Sequence, residues 1–264
     1  MYNFEYQQAK SVADAAKVLA DKPDAKLMAG GMTLIPTLKM RLAKPTDVID
    51  LGKIADLKGV KREGNAIVIG AMTRHVDVAN SDVVKSAIPA LADLAAHIGD
   101  PAVRNRGTCG GSIANNDPAA DYPAAVLALN ATIVTNKRKI AADDFIKGMF
   151  ETALAADEII TAVSFPIPEK AAYMKFPNPA SRYAIVGSFV AKTGNAVRVG
   201  ITGAGPSAFR QKDMEAALSK SFTPDAIKSI AQKQDGLNSD IHASAEYRAH
   251  LVNVMTRRAV TKAG

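Results

Sequence analysis

The sequence predicts an α+β protein of two lobes, the first divided into two subdomains, and three observations carry that prediction. Strand-like and helix-like segments are mixed along the chain but do not alternate strictly, which argues against one parallel sheet. The chain has 264 residues and is 48% hydrophobic, enough to bury a sizeable core in each of two lobes. The apolar segment "EIITAVSFPIP" ends in two prolines, and a domain boundary is expected there, near 166–172. The expected division is 1–170, with subdomains of about 1–55 and 56–170, followed by 171–264.

"SVADAAKVLA" opens with Ser11 and carries Asp14 three residues on, the spacing of a capping box before a helical apolar stripe. "AKLMA" reads as a short strand, and after Gly30–Gly31 "LIPTLKMRL" reads as a helix with Pro36 in its first turn. "TDVIDL" is a second strand, so the first subdomain is expected as helix–strand–helix–strand. "AIVIGAMT" (66–73) is a strand, with Thr73 or Asp77 able to start the following helix. "DVVKSAIPALADLAAHIG" is helical, and Pro89 is expected to break or kink it. A glycine-rich stretch at 107–112 leads to the helix "PAADYPAAVLALN" and the strand "ATIVT". Beyond the boundary, "AAYMKF", "YAIVGSFVAKT" and "AVRVGITGAG" are strands, with a Gly-Asn hairpin signal at 194–195. Three helices, "DMEAALSK", "TPDAIKSIAQKQ" and "SAEYRAHLVNVMTRRAVTK", close the chain.

The net charge is +7, but the basic residues are scattered in short runs such as "NKRK" and lack interleaved aromatics, so nucleic-acid binding is not expected. An acidic partner protein or simple solubility accounts for the charge. The first ten residues lack the features of a signal peptide, and no apolar run approaches the roughly 18 residues of a membrane span. A cytoplasmic protein is expected. The single cysteine, Cys109, excludes an internal disulfide framework, a CxxC centre, and an iron–sulfur cluster held by this chain alone.

Two glycine pairs carry the chemistry. "AGGMTL" and "TCGGS" each turn from a short segment into a helix start, beside a hydroxyl residue, Thr33 or Ser112. Such a turn can be a tight structural corner, or it can present free N–H groups as an anion cradle into which a ligand approaches closely. Two such turns in one chain suit the two phosphates of a pyrophosphate. Asp117 and Asp121, four apart, lie where carboxylates favour a helix start; they can serve as caps or bind a ribose hydroxyl. No GxxxxGK[ST] loop is present. "GAGPSA" (203–208) fits GxGxxA, but too little chain follows for a second βαβ unit, so it reads as a turn. His75, His97, His242 and His250 form no triad or metal spacing, and no general base or metal ligand is assigned.

"AGGMTLIPTLKMRL", "VRNRGTCGGSIANNDPAADYPAAVLALNA" and "SRYAIVGSFVA…VRVGITGAGPSAFR…EAAL" resemble the FAD-binding medium subunit of molybdenum hydroxylases, the group of carbon monoxide dehydrogenase medium chains and xanthine dehydrogenase FAD subunits. The resemblance spans essentially the whole chain. It implies a two-subdomain FAD-binding domain of the PCMH type, then a C-terminal domain with a three-stranded antiparallel sheet and a helix bundle. It also implies an electron-transfer role. A large partner subunit would carry a molybdenum cofactor, a small one two [2Fe–2S] clusters, and the assembly would be a dimer of heterotrimers. Carried over by motif, Ala29, Gly30, Gly31, Met32, Thr33 and Leu34 would wrap the FAD pyrophosphate. Thr108, Cys109, Gly110, Gly111 and Ser112 would form the second loop, and Asp121 would help fix the ribose–phosphate part. Ile160 would pack on the flavin, with Lys175 and Tyr183 near its ring system. Met32 and Cys109 depart from the residues the family often has there, a polar side chain and Ile or Val. A stand-alone FAD oxidase and an FAD-less scaffold subunit are the alternative readings.

Overall fold

Ser11 begins the first helix as the sequence predicts: its hydroxyl accepts from Asp14 N at 3.1 Å, and the Asp14 carboxylate accepts from Lys10 N at 3.2 Å. In the computed structural model, which describes residues 1–264, that helix runs Val12–Asp21 and buries Ala15 and Leu19. It packs on a three-stranded parallel sheet in which Asp47–Asp50 lies between Glu5–Gln8 and Lys26–Met28. The strand Glu5–Gln8 escaped the sequence reading because "EYQQ" is polar and mostly exposed.

The second lobe is a five-stranded antiparallel sheet ordered Val60–Glu63, Ala66–Gly70, Ile160–Pro166, Thr132–Thr135, Lys139–Ala141. Ile67, Ile69, Val163 and Phe165 point from it into the largest core. Helices cover the sheet. The expected long helix divides at Pro89 into Asp82–Ala87 and Pro89–Ala96, the proline taking a first-turn position where no N–H is needed. The helix before it starts at His75 with Arg74 as its cap, neither Thr73 nor Asp77. Asp100 caps Pro101–Arg106 through Val103 N at 2.8 Å, a start signal of capping Asp and first-turn Pro that lay unread in the sequence.

The third lobe has three long antiparallel strands, Lys170–Pro177, Ala184–Thr193 and Ala196–Thr202, plus a two-residue edge strand, Phe209–Arg210. Ala184–Thr193 is buried over eight consecutive residues because both faces of the sheet are covered. Helices Lys212–Lys220 and Ala245–Ala263 pack on one face, and the second-lobe helix Tyr122–Ala128 packs on the other. The contact with Tyr122–Ala128 is close enough that a Cβ on Gly200 would sit 2.1 Å from the Ala124 carbonyl oxygen. The helix expected over 223–234 is only a 3₁₀ turn, Pro224–Ile227. Ile227 alone is buried there, so a continuing helix lacks an apolar stripe, and the Asn253 amide donates to the Ile227 and Ile230 carbonyls at 2.7 and 2.8 Å where the turn ends.

Candidate functional site

A cleft of about 710 Å³ opens where the three lobes meet, within the size range of cofactor sites. The two glycine turns form its base and touch each other. A Cβ on Gly30 would lie 2.0 Å from the Arg106 carbonyl oxygen, and one on Gly111 would lie 3.1 Å from the Ala29 Cβ. Gly31 has φ +76°, a backbone state that L side chains rarely adopt. The adjacent glycines at 30 and 31 therefore answer two requirements: one for close approach, the next for a left-handed turn.

The two turns differ in their hydrogen-bonding capacity. In the first, the N–H groups of Gly30, Gly31, Met32 and Thr33 have no acceptor within the chain, and Thr33 makes no side-chain cap bond. In the second, only the Thr108 N–H is left without an acceptor. Cys109 N donates to Thr73 O, Gly110 N to Ala71 O, Gly111 N to Thr108 Oγ1, and Ser112 N to Thr108 O. The sequence suggests an N–H cradle at each glycine pair; in the structure the first has four free N–H groups and the second one, because it is stitched to 71–75, where a Cβ on Gly110 would lie 2.5 Å from the Ala71 Cβ, while Ser112 reaches the cleft.

Thirteen of the fifteen residues singled out from the sequence line this one cleft: 29–34, Thr108, Gly110, Gly111, Ser112, Asp121, Ile160 and Tyr183. Cys109 and Lys175 do not. The Cys109 side chain is 0% exposed, and burial pushes its thiol up, so it fills core space as a neutral group. Lys175 stands behind Asp121, its ammonium 3.0 Å from the carboxylate and donating also to the carbonyls of His97 (2.8 Å) and Arg182 (3.0 Å). These partners satisfy the donors of a buried ammonium. Asp121, 4% exposed, accepts in addition from Tyr173 Oη. Burial pushes its carboxyl up, and Lys175 and Tyr173 pull it back. Asp117 also lines the cleft; its carboxyl is raised by burial while it accepts from Ala119 N at 2.8 Å.

Three cleft residues carried no readable signal. His75 lies under the second turn, where a Cβ on Gly107 would meet its Nε2 at 2.5 Å. Burial, then the charge of Arg104, lowers it to about 4, so the imidazole is neutral near pH 7. Arg182, with φ +63°, and Phe150, with φ +56°, reach the cleft from turns whose backbone the sequence does not announce.

A turn with unpaired donors for an anion, a glycine floor and apolar walls that include Ile98, Val103 and Ile160 define a protein that binds a phosphorylated, ring-bearing cofactor. The donor set and the shape fit FAD. Residues 2–168 match the family described as FAD binding domain in molybdopterin dehydrogenase, and residues 171–263 match the CO dehydrogenase flavoprotein C-terminal domain. The chain is 37% identical to the nicotine 6-hydroxylase medium subunit of Paenarthrobacter nicotinovorans and 35% identical to the carbon monoxide dehydrogenase medium chain of Hydrogenophaga pseudoflava, each time over 98% of this chain and 96% of the relative. The solved structure of reconstituted CO dehydrogenase from Oligotropha carboxidovorans superposes with a TM-score of 0.91 at 32% identity, covering 99% of this chain and 98% of that one. The chain belongs to the FAD-binding subunits of the molybdopterin dehydrogenases, an oxidoreductase family. No helix is long and apolar enough to cross a membrane.

Proposed function

We propose that this chain is the FAD-carrying electron-transfer subunit of a molybdenum-containing hydroxylase or dehydrogenase. Substrate is oxidised at a molybdenum cofactor in a large partner subunit, and electrons reach this chain from [2Fe–2S] clusters in a small partner subunit, in a cytoplasmic dimer of heterotrimers. Bound FAD takes up and releases electrons singly or in pairs, which links one-electron clusters to an external acceptor. The residues of this chain bind and orient. Residues 29–34 hold the pyrophosphate through their N–H groups, Gly110 and Gly111 let the second loop close on Ala71 and Ala29 beside it, and Ser112 adds a hydroxyl. Asp121, fixed by Lys175 and Tyr173, holds the ribose–phosphate part, and Ile160 and Tyr183 flank the ring system. The division near residue 170 separates the lobes that form the cradle from the lobe that braces it.

The observation that carries this reading is the row of four backbone donors without acceptors in the first glycine turn, facing a second turn in which only the Thr108 N–H is free. The test is affinity purification of the full chain with its companions, followed by an absorption spectrum and metal analysis. Flavin, iron and molybdenum with two further polypeptides support the reading. A colourless preparation that takes up no added FAD sinks it.

A further inference from the structure

We propose that Phe150 is an aromatic wall of the cofactor site, its phenyl ring packing on a flat ring of the bound dinucleotide, which rests on the FAD reading above. The strands Ile146–Gly148 and Glu151–Thr152 form a hairpin whose turn is Met149–Phe150. Tight turns of this kind put Gly or Asn where φ is positive. Here the residue with φ +56° is a phenylalanine, a strained choice that a glycine would relieve.

Its neighbours hold that conformation. Asn116 is buried, itself left-handed at φ +45°, and is the C-cap of the helix Cys109–Asn115 that carries the second glycine turn. Its amide donates to Gly148 O and Glu151 O, both at 2.9 Å, and its carbonyl accepts from Phe150 N at 3.3 Å. The hairpin is thus tied to the floor of the cleft. Phe150 is 57% exposed, and the residue lines that cleft. Tyr183 is the only other Phe or Tyr there, and it comes from the third lobe. A strained backbone and an apolar ring left open to water are both unfavourable in the free protein. A ring-bearing ligand that covers the phenyl accounts for both at once.

The ring covered is the isoalloxazine or the adenine, which share a flat π-face. The test uses the full chain with the subunits that co-purify, stripped of cofactor and titrated with FAD, FMN and ADP. Phe150→Ala is expected to raise the FAD dissociation constant by about tenfold or more, the scale of an aromatic–base stack. Phe150→Tyr is expected to restore it. A parallel loss for FMN assigns the flavin ring, and one for ADP assigns the adenine. Phe150→Gly removes the strain as well as the ring, so the stripped protein is expected to melt no lower than wild type while still binding FAD weakly. Wild-type FAD affinity and flavin circular dichroism in both the Ala and Gly variants overturn the proposal. Weakened subunit association with FAD affinity intact also overturns it, by assigning the ring to a partner. Wild-type protein that takes up no FAD defeats the underlying reading instead.

Discussion

At Gly30 the space for a side chain is filled by the Arg106 carbonyl oxygen, 2.0 Å from where a Cβ would stand. Gly30→Ala is therefore expected to force the two turns apart, and the flavin content of the purified chain should fall to near zero. Retained flavin at wild-type stoichiometry would show the contact to be dispensable. Glu158 makes a different residue-scale prediction. Its carboxylate accepts from Arg138, Thr135 and Ala155 N, and these bonds, Arg138 foremost, hold it down to about 2 from an ordinary 4.5. A depressed carboxyl stabilises fully above its unfolded value, and the benefit is lost as pH falls through the folded one. Wild type should lose stability between about 4.5 and about 2, and Glu158→Gln should melt lower at pH 7 with a flatter acid limb over that window. Much at this scale was legible. The glycine pairs and Asp121 stood out because their neighbours form patterns, and Ile160 came only through the family resemblance. Phe150 and His75 did not, since a left-handed phenylalanine and a histidine roofed by backbone leave no periodic trace.

Among the elements, legibility followed local chemistry. Ser11 with Asp14, Pro89, and Gly194–Asn195 each act within a few residues, and each produced the boundary their chemistry requires. The segment 223–234 failed because its outcome depends on Asn253, distant in sequence, and because it offers one buried side chain where a helix needs a stripe. The polar edge strands Glu5–Gln8 and Val60–Glu63 failed for a related reason: main-chain pairing with a neighbour defines them, and their side chains mostly face water. Asn253→Ala should leave the Ile230 carbonyl without a donor and the Ile227 carbonyl with only Ile230 N, costing about 1–3 kcal/mol. Amide exchange should quicken from Asp225 to Ile230 before it does elsewhere, and uniform exchange would contradict the role given to Asn253.

Across the whole molecule, Lys175 ties together two of the three lobes that meet at the cleft: Asp121 and His97 from the second lobe and Arg182 from the third. Lys175→Met should strand a buried carboxylate and cost about 3–5 kcal/mol. Adding Asp121→Asn should recover part of that loss, because the charge left without a partner is then removed. Thermal melts of the two single variants and the double variant measure the coupling, and strict additivity would mean that the pair does not interact. The order of synthesis adds a further consequence. The partners of Asp121 at Tyr173 and Lys175 lie 52 and 54 residues downstream, and Thr202 Oγ1, which holds the Pro118 carbonyl, lies 84 residues beyond its acceptor. A nascent chain that has reached residue 170 contains both glycine turns but none of these anchors. On the proposed reading, the ribosome delivers the glycine turns early and the contacts that brace Asp121 late, and cofactor loading is expected to wait for the last third of the polypeptide.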